Sequence, residues 1–139
     1  MSRATHKRLP VVNTAQPVVI TAHFLGSSAT FRRVAFRMPF AGDLKTIKVD
    51  VQTTIAANAN DYWTLKATTA AGVTTITDTR ASTVVGGAIT ADTAVTLTAV
   101  SAGTNLAAGA AVEFVCTKTA NGADLSANLI TLTATIQPR

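Results

Sequence analysis

Two histidines, one cysteine and seven carboxylates are the groups with which this 139-residue chain could run a reaction. Catalysis needs such groups to converge, and the spacing here assembles none of the usual combinations. His6 lies in a basic opening stretch and His23 in a β-branched run. There is no H-x-H, C-x-x-C or H-E-x-x-H pattern, so no zinc site within one chain is expected. No G-x-S-x-G elbow is present to present a serine nucleophile. Cys116 runs in phase with Val112 and Phe114 and reads as a small buried hydrophobe. The carboxylates stand singly, without the pair that glycoside hydrolysis uses. Asn58, Asn60 and Asp61 form an oxygen cluster of the kind that holds Ca²⁺, though Asn and Asp also build turns by bonding their own backbone. Tyr62 and Trp63 are adjacent, so in a strand they point to opposite faces and cannot form a joint sugar platform. Trp63 is expected in the core. The reading is a non-enzyme without metal or cofactor.

The charged residues say more. Arg3, Lys7, Arg8, Arg32, Arg33 and Arg37 occupy residues 1–37 without a single carboxylate, while the remaining six basic and seven acidic residues give the rest of the chain a charge of −1. The net +5 therefore resides in the N-terminal quarter. Such a segment suits an acidic partner, either a protein surface or nucleic acid, and is also compatible with a solvated tail that aids solubility. With one Trp and one Tyr there is no series of spaced aromatics for stacking bases, which disfavours nucleic acid. The six basic residues are the candidate contacts to a partner.

The elements that must position them have the strand period. Ala and Thr number 26 and 25, and only 14% of residues are charged. One cysteine excludes an internal disulfide framework. The longest charge-free run, Thr93–Val112, is too broken by Thr, Ser, Asn and Gly to span a membrane, and no apolar h-region follows MSRATHKRLP, so no secretory signal is expected. Residues 1–16 lack periodicity and contain Pro10; they are expected to form an extended basic arm, with a short strand at Leu9–Val12. Residues 17–139 are expected to form one domain. Period-two alternation predicts strands at Val18–Phe24, Thr30–Met38, Leu44–Thr53, Tyr62–Thr68, Val73–Thr79, Val84–Ile89, Thr93–Val100, Ala111–Lys118 and Leu129–Gln137. Ala70-Ala71-Gly72 is expected to turn a hairpin and Gly86-Gly87 to mark a bend. In Thr30–Met38 regular alternation puts Arg33 and Arg37 on one face and Arg32 on the other. About eight strands at this spacing predict an all-β, two-sheet antiparallel β-sandwich.

Phe36–Ala67 (FRMPFAGDLKTIKVDVQTTIAANANDYWTLKA) and Leu106–Pro138 (LAAGAAVEFVCTKTANGADLSANLITLTATIQP) carry a further pattern. Pro39-Phe40-Ala41-Gly42-Asp43-Leu44 leads into an alternating strand, Asp61-Tyr62-Trp63-Thr64-Leu65 into the next, Leu106-Ala107-Ala108-Gly109 opens the penultimate strand, and the last ends in Ile136-Gln137-Pro138. These blocks resemble the small capsid decoration, or head-stabilising, proteins of tailed bacteriophages. The resemblance implies a jelly-roll-like sandwich that trimerises and clamps neighbouring major capsid protein subunits from outside the head, in a virion assembled in the host cytoplasm. The basic arm and the scarcity of large aromatics depart from the pattern. Two other readings stay open: a host-facing glycan-binding or adhesion domain of a phage fibre, and a small coat protein whose basic arm contacts nucleic acid.

Overall fold

Threonine and the β-branched aliphatics favour a pleated backbone, because a branched Cβ packs well on it. A computed structural model, which describes residues 16–100 and 105–139, accordingly contains nine strands among the described residues. They are β1 (Val18–Leu25), β2 (Phe31–Arg37), β3 (Gly42–Val51), β4 (Trp63–Thr69), β5 (Arg80–Ala81), β6 (Val95–Thr98), β7 (Asn105–Leu106), β8 (Ala111–Lys118) and β9 (Leu129–Pro138). None of the described helical segments is long and apolar enough to cross a membrane. The expected strand at Leu9–Val12 and most of the expected arm lie outside the described residues.

The ladders are nested. β1 pairs with β9, β2 with β8, β3 with β6 and β7, and β4 with β5, all antiparallel. The chain is thus one long hairpin folded back at β5. Two further ladders, β3–β9 and β4–β8, roll that hairpin into two sheets. One sheet runs β1-β9-β3-β6 with β7 beside β3; the other runs β2-β8-β4-β5. This connectivity is that of a jelly roll, so the expected all-β antiparallel sandwich is the fold.

The inner faces form the core. Leu44, Ile47, Val49 and Val51 of β3 and Ile130, Leu132, Ala134 and Ile136 of β9 face Trp63, Leu65 and Ala67 of β4 and Val112, Phe114 and Cys116 of β8. Phe24 of β1 tilts onto Phe114 at a centroid distance of 5.4 Å and meets Phe31 edge-on at 6.5 Å, tying the first strand of one sheet to the other sheet. Phe31 in turn lies 6.1 Å from Trp63. Of the buried polar side chains among the described residues, Asn128, Ser82 and Thr77 are hydrogen-bonded, while the Thr68 hydroxyl has no partner. Asn128 mimics a strand pair, its amide accepting from the Thr53 N–H and donating to the Thr53 carbonyl, and the Ser82 hydroxyl accepts the Trp63 N–H.

Two expected strands take other forms. Val73–Thr79 begins as a hairpin, with a 3-10 turn at Ala70–Gly72 and a bridge from Thr75 to Thr68. It then changes sheets: Thr77 bridges Ala99 beyond β6, and its buried hydroxyl accepts the Ala67 N–H of β4. Val84–Ile89 is a loop. The Arg80 guanidinium donates to the carbonyls of Ala81, Gly87 and Ala88 and gathers it. A Cβ at Gly86 would collide with the Ala81 carbonyl oxygen, and Gly87 has φ +78°. Only Ile89 of this segment pairs, with Ile55.

Phe114 is fully buried between the sheets and tilted against Phe24, so its truncation opens a large cavity in the core. Phe114→Ala is therefore expected to cost about 3–5 kcal/mol, measured as a fall in the urea midpoint. Gly86→Ala is expected to lower the midpoint too, through the loop rather than the core.

Candidate functional site

β2 carries three arginines at the edge of its sheet, and its local irregularity decides where they point. The register pairs Phe31 with Cys116 and Arg33 with Phe114, both partners buried, then skips Ala35 and pairs Phe36 with Val112. This bulge inverts the alternation. Arg33 consequently lies on the core-facing side, while Arg32, Val34 and Arg37 share the outer face. The expected grouping of Arg33 with Arg37 is corrected: the bulge places Arg37 with Arg32.

Each guanidinium has an intramolecular partner. Arg32 Nε lies 3.1 Å from a carboxylate oxygen of Glu113. The Arg33 guanidinium sits 5.2 Å from the centre of the Phe31 ring, a cation–π arrangement. Arg37 Nη1 donates to the Gly109 carbonyl at 3.2 Å. All three side chains remain exposed, so the edge presents a positive strip that is partly fixed in direction. Arg3, Lys7 and Arg8 lie outside the described residues.

The remaining chemistry-bearing residues fall in separate places. Exposed His23 bonds Thr131 through Nδ1 at 3.0 Å. A shallow depression of about 250 Å³ beside it is lined by Asp50, Val51, Gln52, Asp92, Leu129 and Thr131. Thr131 stands between His23 and Asp50 in register, so the imidazole and the carboxylate belong to non-adjacent strands. Among the described residues no three His, Cys, Asp or Glu side chains gather as a metal site. Asn58 Oδ1 accepts the N–H groups of Asn60 and Asp61, both at 2.9 Å, and Asp61 Oδ1 accepts that of Asn121. Those oxygens build the turn. Trp63 is fully buried, its indole N–H donated to the Ala123 carbonyl. Ser126 holds the Asp124 carboxyl below its ordinary range by hydrogen bonding.

Against this geometry stand the comparisons with known proteins. A scan of family models finds no match, and a search of curated proteins finds none either. Solved structures do match. A chain of the cyanophage Pam1 capsid asymmetric unit aligns over 99% of this chain and 94% of its own, with a TM-score of 0.56 and 16% identity. A chain of the acidic stable capsid structure of Helicobacter pylori bacteriophage KHP30 aligns over 89% of this chain and 94% of its own, with a TM-score of 0.50 and 12% identity. The likeness is one of fold. It runs the length of both matched chains, which are thus of nearly this chain's size.

Cys116 is sealed in the core, and desolvation raises its thiol well above the ordinary value. The unfolded thiol titrates near about 8.5. Below that pH both states keep the proton. Above it only the unfolded chain releases it, so the buried thiol's contribution to stability declines as pH rises, by up to about 1.4 kcal/mol per unit. Urea unfolding between pH 8 and 10.5 is expected to show this decline, and Cys116→Ala is expected to lessen it. The native thiol is expected to resist thiol reagents until the chain unfolds.

Proposed function

We propose that this chain is a capsid decoration protein, a non-enzymatic component of a phage virion that binds the outer surface of the major capsid lattice and stabilises the head. The observation that carries the reading is the whole-length fold match to chains of two phage capsid structures, each 94% covered. The likeness is to nearly the whole of each matched chain and not to one part of a larger subunit of those capsids.

The physical character of the surface supports the same reading. Cementing requires no reaction, only contacts that add through multivalency once copies are assembled. A ring of three copies closes by heterologous contacts and would bring three positive strips to one shell. Arg32, Arg33 and Arg37 on β2 are the described contact candidates; Arg3, Lys7 and Arg8, in the arm at residues 1–16, would reach further along an acidic capsid surface. The glycan reading loses its strongest residue, since Trp63 is buried.

The test mixes the full-length protein with shells assembled without it. Saturable binding and a higher disruption temperature are expected; shells equally heat-stable with and without bound protein would overturn the cementing role. Arg33→Gln together with Arg37→Gln is expected to weaken attachment at least tenfold. Attachment is also expected to fall as salt screens the contact, whereas salt-independent binding would remove the electrostatic part.

A further inference from the structure

The two sheets end in edges that are treated very differently. Edge strands expose unpaired backbone groups, and proteins ordinarily blunt them by shortness, bulges or charge. β5 has two residues and β6 four. β2 carries a bulge and three arginines. β1 has none of these devices. It is eight residues long, pairs with β9 without interruption from Val18 to Leu25, and contains no Lys, Arg, Asp or Glu. Among the described residues nothing pairs with its outer edge.

Hydrogen-bond phase shows which groups that edge presents. The Gly26 N–H donates to the Asn128 carbonyl, whereas the Leu129 carbonyl accepts from Gln52 on the β3 side. Bonded and non-bonded pairs alternate along an antiparallel ladder. Val18, Ile20, Ala22 and Phe24 therefore turn their N–H and C=O groups toward β9. Val19, Thr21, His23 and Leu25 turn theirs outward. The same four have solvent-facing side chains, and the two large apolar ones are 60% (Val19) and 55% (Leu25) exposed.

We propose that β1 pairs with β1 of a second copy, antiparallel about a two-fold axis at Ala22, joining two sheets into one. In this register Val19 meets Leu25 of the other copy and Thr21 meets His23, so all outward backbone groups find partners. The two exposed apolar residues cover each other, and the half-buried Ile20 and Phe24, already packed on the core, meet across the axis on the inner face. Charge selects the occupant. An uncharged strand admits a copy of itself within a chain of net charge +5, whereas β2 set against β2 would bring arginines together, and like charges across strands destabilise. The contact is compatible with a ring built elsewhere on the surface and does not depend on what the assembled protein binds.

The test uses the full chain. Val19→Cys and Leu25→Cys variants are expected to form a disulfide-linked dimer on oxidation when mixed, and neither is expected to do so alone; directly opposed strand residues lie at a separation a disulfide spans. Thr21→Pro removes an outward N–H while sparing the β9 ladder, as proline is tolerated at free edges. It is expected to halve the mass of the assembled species in light scattering with unchanged circular dichroism. Amide exchange at Val19, Thr21, His23 and Leu25 is expected to slow as protein concentration rises. Protection that is independent of concentration would mean that the chain's own N-terminal residues occupy the edge, and would overturn the proposal. So would cross-linking of either single variant alone, or no cross-link in the mixture. Should Thr21→Pro fail to fold, the cysteine pair decides.

Discussion

β9 lies between β1 and β3, and one whole sheet depends on its arrival. Its ten residues satisfy the inner edge of β1 on one side and most of β3 on the other. Neither of those strands has a sequence neighbour as its main partner: Val18 pairs with Ile136 and Leu44 with the same residue from the opposite side. The first and last described strands are thus paired with each other. Closing such long loops costs entropy ahead of any gain from burial. The strict composition of β9 follows from this position: Ile130, Leu132, Ala134 and Ile136 enter the core, and Thr131, Thr133 and Thr135 face out. A central strand of a two-layer fold has one dry face and one wet face, and β9 is written for both.

That is also why so much of the fold can be read from the chain. β4, β8 and β9 alternate because each has a core face, and so does β3 from Thr46 onward, whereas Leu44 joins Ile47, Val49 and Val51 in the core only through a bulge between Leu44 and Thr46. Where the expectation failed, a specific side-chain contact outside the segment's own alternation decided. Val73–Thr79 has β composition, but the Thr77 hydroxyl and the Ala99 bridge carry it from one sheet to the other. Val84–Ile89 has strand-forming side chains at its start, yet the Arg80 guanidinium occupies the carbonyls a ladder would use, and Val85 is left 98% exposed. Local propensity cannot report either event. β5 and β7, two residues each, fall below the length at which a pattern exists.

The candidate contact residues divide in the same way. Their clustering is visible in the sequence, because charge needs no fold to be counted. Their direction is not, because the bulge at Ala35 that separates Arg33 from Arg37 is created by the pairing of β2 with β8. The bulge gives β2 two roles at once. Arg33 on the core-facing side of an edge, stacked on Phe31, obstructs pairing by a further strand, while Arg32 and Arg37 on the outer face leave positive charge available to a partner. Their bonds to Glu113 and Gly109 restrict the motion of those side chains, which lessens the entropy a contact through them must overcome.

The core is filled largely by Ile and Leu around Trp63 and Phe114, and for a sandwich of this size association is the route to burying further apolar surface. The jelly roll supplies two surfaces suited to it that differ in kind. The β2 edge is charged, irregular and closed to further strands, so it selects by electrostatics and is weakened by salt. The β1 edge is neutral, regular and open, so it selects by backbone hydrogen bonds and by the match of Val19 to Leu25, which salt scarcely touches. The two edges belong to different sheets but lie on the same side of the sandwich, where Phe24 of β1 meets Phe31 of β2. On the proposed function such a chain gains strength from the number of contacts made together, while His23 and Asp50 stand on non-adjacent strands and Cys116 is sealed in the core.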